Sequence, residues 1–382
     1  MSWKWIVELV KEEIKDLKPC VHGGDVWRIA EEQRLEVREI IDFSANINPL
    51  GPSKRVLDKI RENLWKIVYY PDPECMELRK AISRYISGIK VDNVIIGNGS
   101  TELIYLFCEV FVNKGDSVLI PIPTFGEYER AVRKVGGVPI YVDLRPDFKV
   151  TSRRLLEKLT KRVKVIFLCN PNNPTGILAS FEDVLEIVKR AAENKVLVVV
   201  DEAFIEFVDD EKRYSLATEV ERYENLFVLR SLTKAFGLAG LRIGYGVACK
   251  DMIDMLSKAK LPWNVNTLAQ VAAISALEDH EHLTNTRRFI SEERKFLLSE
   301  LEKISGLKVF PSDANFILMD VRSFKLTAMQ LKEKMLLQGI LIRDCSSFRG
   351  LDEYYVRVSI RRREENEKLL KCLKKSLSAS ST

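Results

Sequence analysis

The chain has 382 residues, of which 46% are hydrophobic, so it can bury a large core and form two domains or one domain with a smaller appendage. Its 60 lysines and arginines and 55 aspartates and glutamates leave a net charge of +5, and no basic stripe or aromatic–basic alternation indicates nucleic acid. No apolar run approaches the roughly 20 residues of a membrane span. The N-terminal segment is predicted to form one amphipathic helix, and acidic residues interrupt it throughout, so it is unlike a signal peptide.

Cysteine spacing gives no sign of a metal site. The sequence contains neither a CxxC pair nor paired histidines at ligand spacing, and its seven cysteines are scattered at positions 20, 75, 108, 169, 249, 345 and 372. This pattern is typical of a reduced protein without structural zinc. We therefore expect a cytoplasmic protein that needs no metal and contacts neither membrane nor nucleic acid.

The middle of the chain alternates short apolar runs with longer helical patterns. The patterns at 101–112 and 180–195 predict helices, the second with Ser180 and Asp183 placed as a variant of the capping box. The apolar runs that predict strands lie within 93–99, 117–121, 138–142, 164–170, 196–204, 225–230 and 241–249. Several of them are continuous Val, Ile and Leu rather than alternating, which indicates an α/β fold whose mostly parallel sheet is covered on both faces.

The pattern of predicted elements changes near residue 280. A long charged helix is followed by strand-like runs at 315–321, 339–344 and 354–361, which predict a smaller α+β domain. We predict four parts of the chain: an N-terminal arm at 1–45 that contributes to the small domain, a large ligand-binding domain at 46–275, the small domain at 276–375, and a disordered tail at 376–382.

Polar residues follow four of the predicted strands, in the segments "GNGST", "NPNNPTG", "DEAF" and "RSLTK". Because ligands bind at the carboxyl ends of strands in such sheets, we expect these segments to form one site. Gly99, Ser100 and Thr101 open a helix, whose N-terminus can hold a phosphate. Ser231 and Arg242 can add a hydroxyl and a guanidinium to the same dianion.

The other polar residues of these segments fit a phosphorylated heteroaromatic aldehyde. Asp201 can pair with a protonated ring nitrogen, which keeps the ring an electron sink, and Asn173 can donate to a ring hydroxyl. Lys234 can form an imine with the aldehyde. A single lysine, aspartate or glycine at such a position is usually structural, so the prediction depends on their occurring together.

The segments "NPNNPTG", "DEAF" and "SLTKAFGLAGLRIGY" resemble the pyridoxal-phosphate enzymes of the aspartate aminotransferase fold type, fold type I. The distances along the chain also fit, with 28 residues from Asn173 to Asp201 and 33 from Asp201 to Lys234. The resemblance implies pyridoxal 5′-phosphate as cofactor, with Phe125 stacked on its ring. It also implies a homodimer in which Tyr70 reaches the cofactor phosphate of the neighbouring subunit. Where the family usually has tyrosine, this chain has Phe204.

Within this family, the segments "HGGDVWRIA", "DFSANINPLG" and "ILIRDCSSFRGLDEYYVRVSIR" are more similar to threonine-phosphate decarboxylases of cobalamin side-chain synthesis than to histidinol-phosphate aminotransferases. The resemblance implies that Arg357 binds a substrate carboxylate. It implies that Arg343 binds a substrate phosphate, with His22 and Arg361 beside it, and that Asn46 closes over the substrate.

The sequence therefore leaves competing hypotheses for the reaction. The leading one is decarboxylation of O-phospho-L-threonine, and the alternative is transamination of histidinol phosphate with 2-oxoglutarate. A catalytically inactive regulator that binds the cofactor is disfavoured, because the chain has no spare length for a DNA-binding module. The same residues would serve both reactions, so the choice rests on the resemblance alone.

Overall fold

The computed structural model describes residues 4–378, which fold around a large seven-stranded sheet, a smaller four-stranded sheet and a two-stranded sheet. The strands are β1 Ile41–Asp42, β2 Val94–Gly97, β3 Ser117–Ile122, β4 Val138–Asp143, β5 Val163–Cys169, β6 Leu197–Asp201, β7 Leu226–Ser231, β8 Gly244–Ala248, β9 Lys308–Val309, β10 Phe316–Asp320, β11 Ile340–Leu341, β12 Arg343–Asp344 and β13 Tyr355–Ser359. The α-helices are α1 Lys4–Glu8, α2 Glu12–Lys15, α3 Val26–Gln33, α4 Lys54–Glu62, α5 Met76–Tyr85, α6 Ser100–Phe111, α7 Glu127–Lys134, α8 Ser152–Leu156, α9 Phe181–Glu193, α10 Glu211–Tyr214, α11 Lys250–Ala259, α12 Thr267–Leu277, α13 His280–Glu302, α14 Ala328–Leu336 and α15 Arg363–Ser378.

The large sheet has the strand order β2-β8-β7-β6-β5-β3-β4. Strand β8 runs antiparallel to both of its neighbours, whereas the remaining pairs are parallel, which confirms the predicted α/β class. Alternate residues of β5 face two different cores: Phe167 packs with α6, α7 and α11, and Leu168 packs with α9 and α12. Burial on both faces explains the continuous apolar runs.

The smaller sheet is antiparallel, with the order β12-β13-β10-β9. The N-terminal segment joins this part of the molecule, because Ile41 pairs with Ile340 in a two-stranded parallel sheet. Phe43 extends the connection, since its carbonyl accepts a hydrogen bond of 2.8 Å from the Ser359 amide. The predicted contribution of the arm to the small domain thus has a structural basis, while the domain boundaries themselves stay predictions.

The structure differs from the predicted elements at both ends of the chain. The amphipathic N-terminal segment forms two short helices, α1 and α2, instead of one. The predicted tail at 376–382 is wrong for its first residues, because α15 continues to Ser378 and buries Ser376 and Leu377. Residues 1–3 and 379–382 lie outside the described part of the chain. No helix within residues 4–378 is long and apolar enough to cross a membrane.

Two local predictions also change in detail. The run at 339–344 is divided into β11 and β12, which pair with different strands. Ser180 caps α9 by accepting a hydrogen bond of 3.1 Å from the Asp183 amide. The predicted capping box is incomplete, because the Asp183 carboxylate does not accept from the Ser180 amide. It accepts hydrogen bonds of 2.8 Å from both the amide and the hydroxyl of Ser152 instead.

Candidate functional site

A cavity of about 1220 Å³ is lined by residues from the carboxyl end of the large sheet, from the N-terminal segment and from the smaller sheet. The predicted site residues that line it are His22, Asn46, Thr101, Phe125, Asn173, Lys234, Arg242, Arg343 and Arg357. Residues that are far apart in the sequence therefore meet in one place, as the strand-end argument requires.

Lys234 follows β7 and points its amine over the ring of Phe204, with 5.6 Å between Nζ and the ring centroid. Burial lowers the pKa of Lys234 to about 8, helped by the positive charges of Arg357 and Arg242 and opposed by the negative charge of Asp201. A sizeable fraction of this amine is therefore neutral near neutral pH. A neutral amine can attack an aldehyde and can accept a proton.

Asp201 is the last residue of β6, and its side chain lies almost entirely out of solvent. Its carboxylate accepts hydrogen bonds of 2.7 Å from the Tyr128 hydroxyl and 3.0 Å from the Ala203 amide. Burial raises the pKa of Asp201 to about 6, although both hydrogen bonds and the charge of Lys234 act in the opposite direction. A buried carboxylate of this kind gains most from a cationic partner such as a protonated ring nitrogen.

Tyr128 does not stand out in the sequence, although it lies in the same segment as Phe125. The two rings meet edge to face with centroids 5.6 Å apart, and Tyr128 is fully buried. Their spacing of three residues at the start of α7 is a signal that could have placed both on the site side of that helix. The phenol holds the Asp201 carboxylate in a fixed direction.

The start of α6 forms a cradle that fits a phosphate. Gly99, with φ of +78°, precedes α6, and no side chain caps the first turn, so its amide groups are open to a ligand. A Cβ atom on Gly99 would lie 2.5 Å from Nη2 of Arg242, so only glycine lets the guanidinium pack this closely. A Cβ atom on Gly244 would lie 2.5 Å from the Ser100 amide.

Ser231 lies beside this cradle rather than on the cavity wall. Its residue pairs with Gly244 across β7 and β8, and its hydroxyl is 2.7 Å from the hydroxyl of Thr233. The cradle thus combines helix amides, a guanidinium and a hydroxyl, which is the donor set that a phosphate dianion needs.

Arg357 lines the cavity from strand β13 of the smaller sheet. Its guanidinium donates to the side-chain oxygen of Asn173 and, over 3.1 Å, to the carbonyl of Ser44. It also lies 5.0 Å from the ring centroid of Phe316. Burial, together with the neighbouring charge of Arg343, lowers the pKa of Arg357 to about 10. A guanidinium that is fixed and poorly solvated is suited to binding an anion.

The same contact orients Asn173. Because its side-chain oxygen accepts from Arg357, its amide nitrogen is left to donate into the cavity. This orientation agrees with the predicted hydrogen bond from Asn173 to a ring hydroxyl, and the role itself stays a prediction.

Arg343 lies on β12 and holds the N-terminal segment in place. It donates hydrogen bonds of 2.8 Å to the carbonyl of Val21 and 2.7 Å to the hydroxyl of Ser347. Its guanidinium also stacks on Phe348, 5.4 Å from the ring centroid. Through Val21, the arginine that the sequence assigns to a substrate phosphate is connected to the segment that carries His22.

The glycines after His22 allow this segment to pack closely. A Cβ atom on Gly23 would overlap the carbonyl oxygen of Ser44, and Gly24 has a φ of +82°. The Gly24 amide donates a 2.8 Å hydrogen bond to the Ser44 hydroxyl. A larger residue at either glycine would lift His22 away from the cavity.

Tyr70 and Arg361 are predicted site residues that neither line the cavity nor belong to the phosphate cradle. Tyr70 is 80% exposed and stacks on Trp263 with ring centroids 4.8 Å apart. Arg361 donates 3.0 Å and 2.8 Å hydrogen bonds to the carbonyl of Asp42 and to the carboxylate of Glu365. An exposed Tyr70 has the position expected of a residue that acts in another subunit, whereas the predicted substrate contact of Arg361 has no support within this chain.

A buried ion cluster lies behind the segment that carries Lys234. Arg230 forms ion pairs of 2.8 Å with Glu202 and 2.9 Å with Glu206. Glu202 also accepts hydrogen bonds of 2.8 Å from the Ser215 hydroxyl and the Leu216 amide. These contacts indicate a structural role for Glu202, and Arg230 carries no distinguishing signal in the sequence.

Comparison with known proteins places this geometry in context. Residues 38–373 match the model of the family described as aminotransferase class I and II. The chain is 38% identical to a histidinol-phosphate aminotransferase of Methanocaldococcus jannaschii, covering 98% of this chain and 99% of that protein. It is 39% identical to a putative threonine-phosphate decarboxylase of Caldanaerobacter subterraneus, covering 95% of each chain.

A solved structure of a relative has a similar fold. The crystal structure of the histidinol-phosphate aminotransferase from Clostridium acetobutylicum superposes with a TM-score of 0.82 at 33% identity, covering 88% of this chain and 99% of that one. The names of these relatives refer to two different reactions, so similarity alone does not choose between them.

Proposed function

The chain belongs to the aminotransferase class I and II family, and we propose that it decarboxylates O-phospho-L-threonine to (R)-1-amino-2-propanol O-phosphate and CO₂, a reaction of cobalamin biosynthesis. Its cofactor is pyridoxal 5′-phosphate. The observation that carries the proposal is that Arg343 holds the segment of His22, Gly23 and Gly24 through the carbonyl of Val21, in the cavity that Lys234 also lines.

The residues that would hold the cofactor surround the amine of Lys234. The cradle formed by Gly99, Ser100, Thr101, Ser231 and Arg242 fits its phosphate. Asp201 would hold the ring nitrogen protonated, Asn173 would donate to the ring oxygen, and Phe125 would cover one ring face. When bound, the cofactor takes up the electron pair that remains on the substrate Cα as CO₂ departs.

Two arginines support a substrate with two anionic groups. Arg357 is buried in the cavity wall beside Asn173, where it would hold the carboxylate, and Arg343 lies beside the N-terminal segment, where it would hold the phosphate. Asn46 is buried in the cavity wall, and its side-chain oxygen has no hydrogen-bond partner among the described residues. That oxygen is free to accept from the substrate as the segment closes over it.

The reaction needs one proton after CO₂ has left. Lys234 would supply this proton to Cα and would recover it from solvent. Since the pKa of Lys234 is lowered to about 8, mainly by burial, the amine can both lose and accept a proton near neutral pH. The apolar ring of Phe204, which stands where relatives usually have tyrosine, adds no hydroxyl next to this amine.

Transamination is the second candidate, because the relative from Methanocaldococcus jannaschii is named histidinol-phosphate aminotransferase. In that reaction Lys234 would remove the proton from Cα instead of supplying it. The arginines would then bind the phosphate of histidinol phosphate and the carboxylates of 2-oxoglutarate in turn.

Two parallel incubations separate the candidates. The holoenzyme is mixed with O-phospho-L-threonine in one and with histidinol phosphate and 2-oxoglutarate in the other. We expect CO₂ and the amino alcohol phosphate from the first mixture, in equal amounts. Glutamate from the second mixture without CO₂ from the first would refute the decarboxylase proposal, and inactivity in both with cofactor bound would favour a regulator.

We also propose that the protein is a homodimer in which Tyr70 serves the partner's cofactor phosphate. Tyr70 belongs to an aromatic patch, which we define as Trp65, Val68, Tyr70, Leu261 and Trp263 and in which every side chain is about half or more exposed. Tyr70 and Trp263 stack on each other within it, and grouped exposed apolar residues typically mark an interface. A second copy of the chain would cover the patch and bring Tyr70 to the active site of the partner subunit.

A further inference from the structure

A buried carboxylate that the proposed reaction does not use lies behind His22. Glu127 is the first residue of α7, and its side chain is only 4% exposed. It accepts a hydrogen bond of 2.7 Å from Nε2 of His22 and another from the hydroxyl of Tyr105. Nη1 of Arg130 lies 3.6 Å from the same carboxylate. The contact with His22 connects the N-terminal segment to α7 across 105 residues of sequence.

Glu127 is charged under all ordinary conditions. Burial raises its pKa, but hydrogen bonds from His22, Tyr105 and Cys20 outweigh that effect and lower the pKa of Glu127 to about 2. The cavity wall therefore contains a fixed negative charge directly behind a histidine. Without a proton-bearing group in front of it, such a charge would repel a phosphate.

We propose that Glu127 is a positioning residue that orients His22 toward the phosphate of the substrate. The inference rests on the proposed function, because that function supplies the phosphate. Nε2 of His22 donates to Glu127, so Nδ1 is the ring nitrogen left for a ligand. A phosphate dianion only accepts hydrogen bonds, so in the complex both ring nitrogens of His22 carry an N–H, as in an imidazolium, one donating to Glu127 and the other to the phosphate.

The surroundings of His22 support this arrangement. Its side chain is 50% exposed on the cavity side, and its ring lies 5.7 Å from that of Phe125. The carbonyl of the preceding residue, Val21, accepts a hydrogen bond from Arg343. The imidazole of His22 and the guanidinium of Arg343 are therefore held close to each other in the cavity wall. A histidine that served only to cap a loop would not need a buried carboxylate held in turn by a phenol.

Binding of inorganic phosphate to the holoenzyme tests the proposal by calorimetry. We expect Glu127→Gln and His22→Asn each to weaken binding about tenfold, because both remove the oriented imidazolium. The double variant should bind no more weakly than His22→Asn, since Glu127 acts only through the ring. Glu109→Gln is the matched control, because it removes an exposed carboxylate one turn along α6 from Tyr105, and it should bind phosphate as the wild type does.

The proposal would be overturned if Glu127→Gln bound phosphate as tightly as the wild type. It would also be overturned if adding Glu127→Gln to His22→Asn weakened phosphate binding by a further tenfold. A second measurement avoids the buried substitution. The sequence has three histidines, so ¹⁵N spectra of the wild-type holoenzyme can follow His22, identified by its absence in His22→Asn. Phosphate should shift both ring nitrogens of His22 toward imidazolium values, and no shift at saturating phosphate counts against the proposal.

The binding measurement also separates this inference from the proposed reaction. Phosphate binding that depends on Glu127 would stand even if O-phospho-L-threonine were not decarboxylated. Conversely, if O-phospho-L-threonine were decarboxylated but phosphate affinity did not depend on Glu127, the role of Glu127 would be refuted and the proposed reaction would stand. Steady-state kinetics give a further check. Glu127→Gln should raise KM for O-phospho-L-threonine by about tenfold while kcat changes little.

Discussion

Arg343 and Arg357 lie directly opposite each other on the antiparallel strands β12 and β13, and both line the same cavity. Their hydrogen bonds go to neutral oxygen atoms, such as the carbonyls of Val21 and Ser44. Like charges at directly opposed positions destabilise a sheet. The pair is therefore a local cost to folding, and a doubly anionic ligand would relieve it.

The first prediction concerns this pair. Arg343→Gln should lower kcat/KM for O-phospho-L-threonine by about 10²- to 10³-fold, because a desolvated guanidinium–phosphate contact is lost. The ligand-free protein should nevertheless become more stable to heat, since the repulsion of Arg357 is removed. Steady-state kinetics and thermal unfolding measure the two effects. Arg322→Gln, which changes an exposed arginine paired with Asp320 on the same sheet, is the control.

An Arg343→Gln protein with unchanged kcat/KM would remove this residue from the substrate site. Reduced activity in Arg322→Gln of the same size would point instead to a general disturbance of the smaller sheet.

The second prediction concerns Asp201 and the stability of the cofactor-free protein. The folded pKa of Asp201 is about 6, raised mainly by burial, so the native state favours the protonated carboxyl. The resulting stabilisation is present below pH 4 and is lost as the pH rises through about 6. It amounts to on the order of 2 to 3 kcal/mol. Asp201→Asn removes the charge while the amide still meets Tyr128 and the Ala203 amide.

Denaturant unfolding of both cofactor-free proteins at pH 4 and pH 7.5 tests this. We expect Asp201→Asn to be the more stable protein at pH 7.5 and to show a smaller decline in stability between the two values. Part of the decline remains in both proteins, because burial raises the pKa of Glu206 to about 7. The same variant should be nearly inactive when loaded, because the ring nitrogen loses its anionic partner. A wild-type protein whose stability rose across this pH range relative to Asp201→Asn would contradict the assignment.

The third prediction concerns the amine of Lys234. Added pyridoxal phosphate should react with the cofactor-free protein at a rate that increases with pH and has a midpoint near 8, because only the neutral amine attacks the aldehyde. Arg357→Gln should move the midpoint upward, since the charge of Arg357 helps to lower this pKa. Stopped-flow absorbance gives the rates. Borohydride trapping followed by peptide mapping should find the label on Lys234 and find none in Lys234→Ala.

Much of the large domain could be predicted from sequence because its strands are continuous apolar runs with polar residues at their carboxyl ends. That pattern is sufficient to bring Asn173, Asp201 and Lys234 to one edge of the sheet. The contact between Tyr128 and Asp201 spans 73 residues, and the contact between His22 and Glu127 spans 105. Local sequence pattern cannot tell which remote side chain meets the buried face of α7.

The error at the C-terminus has a similar cause. The composition of 376–382 resembles a disordered tail, yet the Ser376 hydroxyl accepts a 2.9 Å hydrogen bond from Gln338 and Leu377 is buried. Tertiary contacts of this kind override local composition, because they stabilise helical turns that would be marginal alone.

The last prediction tests whether Tyr70 acts across a dimer interface. Tyr70 is remote from the cavity of its own chain, so Lys234 and Tyr70 of one active site should come from different subunits. Tyr70→Phe and Lys234→Ala homodimers should each be strongly impaired at low cofactor concentration. If the two are dissociated, mixed and reassociated, each hybrid contains one site with both native residues, so activity should recover to about a quarter of the wild-type value.

A contribution within one chain gives the opposite result, because no hybrid subunit then carries both residues and the mixture stays impaired. The double variant Tyr70→Phe/Lys234→Ala mixed with wild type is the matched control, since its hybrids contain no site with both native residues when Tyr70 acts across the interface. Val68→Asp, which places a charge in the aromatic patch, should prevent reassociation and abolish the recovery, as sedimentation can verify. Recovery without any dimer in sedimentation would be incompatible with the proposal, because the shared site requires the two subunits to be in contact.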